Sequence, residues 1–393
     1  MNSRLNLLRP YPFARLREAM QGISPPAHLN PVLLYIGEPK HPTPAVVTDA
    51  LSAALPELSK YPPTQGLPEL RQACADWLAR RYGGLAANPD TEVLPVLGSR
   101  EALFSFVQSV LEPAAAEVPV VVCPNPFYQI YEGAALLAGA ETAFAPSLPP
   151  RFLPDWHSIP HETWQRCRIV FVCSPDNPSG SVHTPTDWQV LFELQDHYGF
   201  VIAADECYSE IYFDGAGPAG CLETAARLGR GFKNTVMFTS LSKRSNVPGL
   251  RSGFVAGDAG LLKNFLLYRT YHGSAMSLPV QRASIAAWQD EAHAEDNRRR
   301  YREKFDRVLP VLQQKFDIRR PDASFYIWLP VPGDDDIAFA QKLWREQAVQ
   351  VLPGSLLARD TPQGNPGRGF VRIALVDDVG QCVEAAERIV RCA

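Results

Sequence analysis

Eight cysteines are spread along the 393 residues without a single C-x-x-C pair, and no uninterrupted apolar run approaches the ~18–20 residues needed to span a bilayer. Internal repeats and low-complexity tracts are missing too, and the 36 prolines lie in turns and strand entries rather than in a linker. Concentrated positive charge is also lacking. Lys and Arg number 38 against 42 Asp and Glu, a formal net charge of −4, which argues against a nucleic acid or an anionic membrane surface as partner. His157 and His161 stand four apart in "WHSIPHE", but Pro160 breaks the helix such a ligand pair would need, so no metal is expected. Cysteines inside apolar runs such as "VVVC" and "IVFVC" read as buried, reduced thiols of a cytoplasmic protein. The arginine-bearing start "MNSRLNLLRPYPFARLREAM" lacks both the serines of a transit peptide and the apolar stretch of a secretion signal. It reads as a structural arm broken at Pro10 and Pro12.

What the chain does have is a long alternation. From about residue 93 to 275, the runs "EVLPVLG", "VPVVVC", "AETAFAP", "CRIVFVC", "FVIAAD", "NTVMFTS" and "SGFVAGD" are separated by helix-length amphipathic segments. Near-continuous Val/Ile runs indicate strands covered on both faces, hence an α/β fold with a mostly parallel central sheet flanked by helices. After residue 280 the texture shifts. "ASIAAWQDEAHAEDNRRRYREKFDRVLPVLQQKF" reads as one long charged helix. It is followed by strands at "FYIWLPV", "VQVLPG" and "GFVRIALV", a helix at "IAFAQKLWREQ" and a last helix from near Val379. The expected division is a large domain over 41–284 and a smaller α+β domain made of the N-terminal arm 1–40 with 285–393.

In parallel sheets, sites form where loops leave the carboxyl ends of strands, and the polar residues gather there. "TSLSKRSNVPGLRSGF" follows a strand and holds Lys243, which if buried loses its proton readily and can form a Schiff base with a carbonyl, including that of pyridoxal phosphate. Arg251, Ser240 and Ser242 suit that cofactor's phosphate; taken alone, the same run could be a solvated basic turn. Asp205 ends "VIAAD", where a carboxylate beneath a pyridine nitrogen keeps the ring protonated, and Tyr208 follows; a helix-capping aspartate is the plainer reading. Asn177 sits in "SPDNPSG", an Asx-type turn or a hydrogen-bonding amide, beside Pro178, whose peptide isomer the sequence leaves open. Gly98, Ser99 and Arg100 open a helix whose free N–H groups can face a phosphate, and Tyr128 can stack on a planar ring or fill the core. "GAGPAG" at Gly215–Gly220 matches a dinucleotide fingerprint only literally: Pro218 interrupts it, and no second strand with a terminal acid follows.

In this order, the motifs resemble those of class I, fold-type I pyridoxal-phosphate aminotransferases over nearly the whole chain. "YIGEP" (Gly37) is similar to the family's substrate-carboxylate loop. "YPPTQGLPELR" is similar to the segment whose tyrosine, here Tyr61, reaches the phosphate of a neighbouring subunit; "GFVRIAL" supplies an α-carboxylate arginine, Arg372. The resemblance implies a homodimer using pyridoxal 5'-phosphate. Lys243 would hold the cofactor and shuttle a proton, Asp205 would face the pyridinium, Tyr208 and Asn177 the ring oxygen, and Tyr128 the ring face. Arg251, Ser240, Ser242 and the amides of Ser99 and Arg100 would hold the phosphate. The phosphate loop departs from the aspartate enzymes in reading Gly-Ser-Arg instead of Ser-Gly-Thr, which leaves the Arg100 side chain without a family counterpart.

Longer stretches, "SLSKRSNVPGLRSGFVAGD", "FLLYRTYHGSAMS" and "RPYPFARLRE" among them, are similar to the succinyldiaminopimelate aminotransferases of lysine and cell-wall synthesis. That resemblance implies ping-pong transamination between N-succinyl-LL-2,6-diaminopimelate and 2-oxoglutarate. Arg269, Tyr271 and His272 of "YRTYHG" are then candidates for the distal succinyl end, across a dimer interface or as plain packing residues. The alternatives are a class I aminotransferase for another amino acid, a pyridoxal-phosphate lyase, or an aminotransferase-like sensor domain; the last would carry a DNA-binding module, and no basic helix-turn-helix segment precedes residue 30.

Overall fold

A computed structural model describes residues 2–112 and 117–393. Its strands are β1 (Val32–Leu33), β2 (Val93–Val96), β3 (Val120–Asn125), β4 (Glu141–Leu148), β5 (Leu153–Pro154), β6 (Cys167–Cys173), β7 (Val201–Asp205), β8 (Thr235–Ser240), β9 (Gly253–Gly257), β10 (Tyr326–Pro330), β11 (Val349–Gln350), β12 (Leu352–Pro353) and β13 (Phe370–Ala374). Eight of them form one sheet in the order β2-β9-β8-β7-β6-β3-β4-β5. The run from β8 to β4 is parallel throughout, while β9 and β5 run against their neighbours.

The unbroken apolar runs have a simple cause. Successive residues of a strand point to opposite faces, and here both faces are covered. Val120, Val122, Val170, Val172, Ile202 and Ala204 enter one buried core, whereas Val121, Cys123, Ile169, Phe171, Val201 and Ala203 enter the other. Each strand therefore needs an apolar residue at every position. All eight cysteines are buried and unpaired.

The smaller unit is built differently. β10, β13 and β12 form an antiparallel sheet, and β1 pairs in parallel with β11, Val32 opposite Val349. Leu16, Val32 and Leu34 from the N-terminal segment share a core with Phe305, Val349, Ile373 and Ile389. On this basis we propose the division of 41–284 against 1–40 with 285–393. The expected single long helix is two, Leu278–Gln289 and Ala292–Leu312. The break falls at Asp290, whose backbone is extended and whose carboxylate accepts from the His293 N–H, capping the second helix from outside. Its carbonyl takes a hydrogen bond from buried Arg244, so tertiary contact overrides the helical pattern. In the arm, Pro12 opens the helix Pro12–Ala19, where its missing N–H costs nothing.

Trp77 joins three elements of the large core. It lies in the helix Pro68–Arg81, with its ring centroid 5.8 Å from that of Phe254 on β9 and 5.0 Å from Trp288. Trp77→Ala is expected to lower the unfolding free energy by about 3–5 kcal/mol. Urea unfolding followed by circular dichroism checks this, with the midpoint moving and the slope unchanged.

Candidate active site

A pocket of about 520 Å³ opens where β6, β7 and β8 end, between the sheet and the smaller unit. Asp205 closes β7, Cys173 closes β6 and Ser240 closes β8, so the parallel ladder delivers all three to one edge. Among the residues lining it are Gly37, Ser99, Arg100, Tyr128, Asn177, Asp205, Tyr208, Ser240, Ser242, Lys243, Arg251 and Arg372.

Lys243 follows β8 in the short helix Leu241–Arg244. Its Nζ donates to the Gly37 carbonyl, and its backbone carbonyl accepts from the Asn297 amide at 3.0 Å. Desolvation lowers the Lys243 pKa to about 8, with Arg372 and Arg100 adding to the effect and Cys207 and Glu38 opposing it. Gly37 is required there because a Cβ would stand 2.0 Å from the Tyr326 hydroxyl.

Asp205 is buried on the floor. Its carboxylate accepts from the Tyr131 hydroxyl at 2.9 Å and from the Cys207 N–H at 3.3 Å. Burial raises its pKa, and those two donors only partly offset this. Tyr131 is held by stacking on Phe171, 4.3 Å between centroids. On the far wall, the Tyr208 and Tyr326 hydroxyls are 3.0 Å apart.

Arg372, on the middle strand of the smaller sheet, donates to Asn177 Oδ1 at 2.7 Å and to the Tyr35 carbonyl at 2.8 Å, with its guanidinium 4.4 Å from the Tyr326 ring centre. Its Nε is buried with no partner. Asn177 is presented by a turn in which the Asp176 carboxylate accepts from the N–H and hydroxyl of Ser179 at 3.0 and 2.6 Å. In that turn the cis peptide precedes Pro175, and the one before Pro178 is trans.

The helix Ser99–Val110 begins at Gly98 without a side-chain cap, so its first N–H groups are free. Gly98 has φ +80°, and a Cβ on it would lie 2.4 Å from the Arg251 guanidinium, which folds against this turn. Ser240 Oγ donates to Ser242 Oγ at 2.8 Å beside it.

Four expected residues, Tyr61, Arg269, Tyr271 and His272, are not in the pocket of this chain. Tyr61 and Tyr271 are exposed and do not line it. Arg269 is buried and forms a two-pronged ion pair with Glu101, both contacts 2.7 Å, with a further bond to the Ser274 carbonyl, so it is not a free cation for a substrate. His272 bonds Ser274 Oγ and stacks on Tyr268. Sequence reasoning had missed Tyr131, Tyr326, Cys173, Cys207 and Tyr11. None of them left a local trace that set it apart from a core residue.

Arg269→Ala is expected to destabilise the protein by about 1–3 kcal/mol, since Glu101 loses its partner. Any fall in kcat/KM should be equal for every substrate; thermal unfolding and a two-substrate rate comparison check both.

The family model for aminotransferase class I and II matches residues 30–389. An LL-diaminopimelate aminotransferase of Desulforudis audaxviator is 34% identical over 99% of this chain and 97% of its own length. Among solved structures, an aminotransferase from Neisseria meningitidis is 69% identical with a TM-score of 0.98, covering 100% of this chain and 99% of that one. A protein described as a probable N-succinyldiaminopimelate aminotransferase from Thermus thermophilus is 28% identical with a TM-score of 0.85, covering 97% and 100%. With a lysine, an aspartate and a phosphate-ready helix start at the sheet's carboxyl edge, the chain belongs to the class I and II aminotransferases, which use pyridoxal 5'-phosphate.

Proposed function

We propose that this enzyme transfers an amino group between N-succinyl-LL-2,6-diaminopimelate and 2-oxoglutarate, with glutamate as donor in the biosynthetic direction. The observation that carries it is the juxtaposition of Lys243, Asp205 and Arg372 around one pocket; the names of two similar proteins, an LL-diaminopimelate aminotransferase and a probable N-succinyldiaminopimelate aminotransferase, support a diaminopimelate skeleton as substrate. A second reading, free LL-diaminopimelate as substrate, is favoured by the names of curated relatives that are 30–34% identical.

The residues fit the cofactor. Asp205 is a buried carboxylate with two neutral donors and no cation paired to it among the described residues, a place that suits a protonated ring nitrogen. Free N–H groups at Ser99 and Arg100, with Ser240, Ser242 and Arg251, suit a phosphate. Tyr208 and Asn177 would hold the ring oxygen, and Tyr128 the ring face. When bound, the cofactor supplies an aldehyde that accepts the amino group and a ring that draws electrons from the carbon beside it.

Lys243 does the proton work. Near pH 8 its amine is neutral in about half the molecules, so it can attack a carbonyl and, once released, take the proton from the substrate's α-carbon. Arg372 clamps the α-carboxylate with its fork, held in plane by Asn177, Tyr35 and the Tyr326 ring. Donor and acceptor occupy the same subsite in turn, which gives ping-pong order.

A cytoplasmic homodimer is part of the proposal. Exposed Tyr61, with Leu55 and Leu58 beside it, suits a second copy, whose phosphate Tyr61 would reach. Eight buried, unpaired thiols suit a reducing compartment.

The rate of cofactor loading should rise from pH 6.5 and level off above about pH 8, since the depressed Lys243 pKa makes the neutral amine available there. Stopped-flow absorbance across this range checks it; a rate still climbing past pH 10 would indicate an unperturbed lysine. For the substrate, glutamate formation from 2-oxoglutarate is measured with N-succinyl-LL-diaminopimelate, free LL-diaminopimelate and N-acetylornithine. The reading predicts the highest kcat/KM for the succinylated compound and none for Lys243→Ala. A preference for free LL-diaminopimelate selects the second reading, and activity with neither removes both.

A further inference from the structure

Lys243 stands on a helix of only four residues, Leu241–Arg244. So short a helix leaves its last carbonyls without partners of their own. The Lys243 and Arg244 carbonyls are taken by one side chain: Asn297 donates from its amide nitrogen to the first at 3.0 Å and to the second at 3.2 Å. Asn297 is buried and lies on the helix Ala292–Leu312, one turn after His293, whose Nε2 is 2.8 Å from Ser245 Oγ. Residues four apart share a helical face, so this face grips the chain at residues 243–245.

The orientation of the Asn297 amide follows from its partners. Both carbonyls can only accept, so the nitrogen must face them and the oxygen must face the other side. There Oδ1 accepts from Asn246 Nδ2 at 3.1 Å and from His41 Nδ1 at 2.8 Å, so the His41 proton is on Nδ1. Burial lowers the His41 pKa to about 4, with Lys304 adding to the effect and the bond to Asn297 opposing it, which leaves a neutral ring with that single proton. The ring packs against Tyr301, 4.7 Å between centroids. An apolar residue would fill the place of Asn297 without needing four partners, so packing alone gives no reason for an amide there.

His41 comes four residues after Gly37, whose carbonyl receives the Lys243 Nζ, and the Tyr35 carbonyl of the same segment receives Arg372. One stretch, "YIGEPKH", thus holds the tip of Lys243 directly, its root through Asn297, and the arginine read above as the carboxylate clamp. We propose that Asn297, held by His41, is a positioning residue that fixes Lys243 relative to Arg372, so that the amine meets the α-carbon of a substrate whose carboxylate is clamped. The inference rests on the reading above in taking Lys243 as the residue that joins the cofactor and moves the proton.

The test uses Asn297→Asp, which replaces two donors by acceptors in nearly the same shape, Asn297→Ser, which keeps one donor, and His41→Ala. The cofactor-loading rate of the apoprotein is followed from pH 6.5 to 10, with kcat and KM for glutamate and the melting temperature measured alongside. Asn297→Asp should lower kcat by about 10- to 100-fold with KM within about twofold, and Asn297→Ser should recover part of the loss. The loading midpoint should rise by about one pH unit as the loosened amine takes up water. The neutral serine variant should move it the same way, which an added charge could not explain. Arg372, Arg100, Cys207 and Glu38, the groups that act on the Lys243 amine, are unchanged in all three variants. His41→Ala should follow in the same direction with smaller changes.

A lower melting temperature with the midpoint and kcat unmoved would make Asn297 an ordinary core bond and overturn the proposal. Should the Asn297 variants fail to fold, His41→Ala decides: no change in midpoint or kcat overturns it. Lys243→Ala separates the two levels. If that variant loads cofactor with the wild-type spectrum, the reading of Lys243 fails and this proposal with it. If it does not, while the Asn297 and His41 variants behave as wild type, the positioning proposal alone fails.

Discussion

The parallel ladder that joins β6, β7 and β8 ends with Cys173 beside Asp205 and Asp205 beside Phe238, two residues short of Ser240. Because these strands run the same way, each must return over the sheet before the next begins, and every outgoing loop leaves at one edge. The carboxylate of Asp205 meets the Ser240 and Ser242 hydroxyls and the lysine that follows them there, although it ends a different strand. The other parts of the pocket are added to this edge: a helix start after β2, a turn after β6, and Arg372 brought over by the smaller sheet.

Burial sets the chemistry of what meets there. Removing water raises the Asp205 carboxyl and lowers the Lys243 ammonium, so each is shifted toward its neutral form and each is ready for a partner that restores the balance. The supporting contacts are direct hydrogen bonds, most of them from distant segments: Tyr131 and the Cys207 N–H on Asp205, Gly37 and Asn297 on Lys243. Residues behind these groups are held in turn by aromatic packing, as Tyr131 is by Phe171 and Arg372 by Tyr326.

Much of this was legible in the chain. Seven doubly covered strands announce themselves as unbroken apolar runs, and each polar residue that ends one is a conspicuous break, which is why Lys243, Asp205, Asn177 and Ser240 could be named. What was hidden depends on contacts between distant segments. Tyr326 and Tyr131 sit within apolar text, and nothing local distinguishes them from core aromatics. Arg269 looked free because its partner, Glu101, lies 168 residues earlier. The break at Asp290 was masked by a continuous amphipathic pattern, since Arg244 captures its carbonyl from another element.

We propose Lys243 as the residue to which the cofactor is joined. The most direct test is borohydride reduction of the cofactor-loaded protein followed by peptide mass spectrometry. One cofactor-derived mass per chain is expected, on the peptide containing Lys243. A mass on another lysine, or none after pyridoxal 5'-phosphate is supplied, would contradict it.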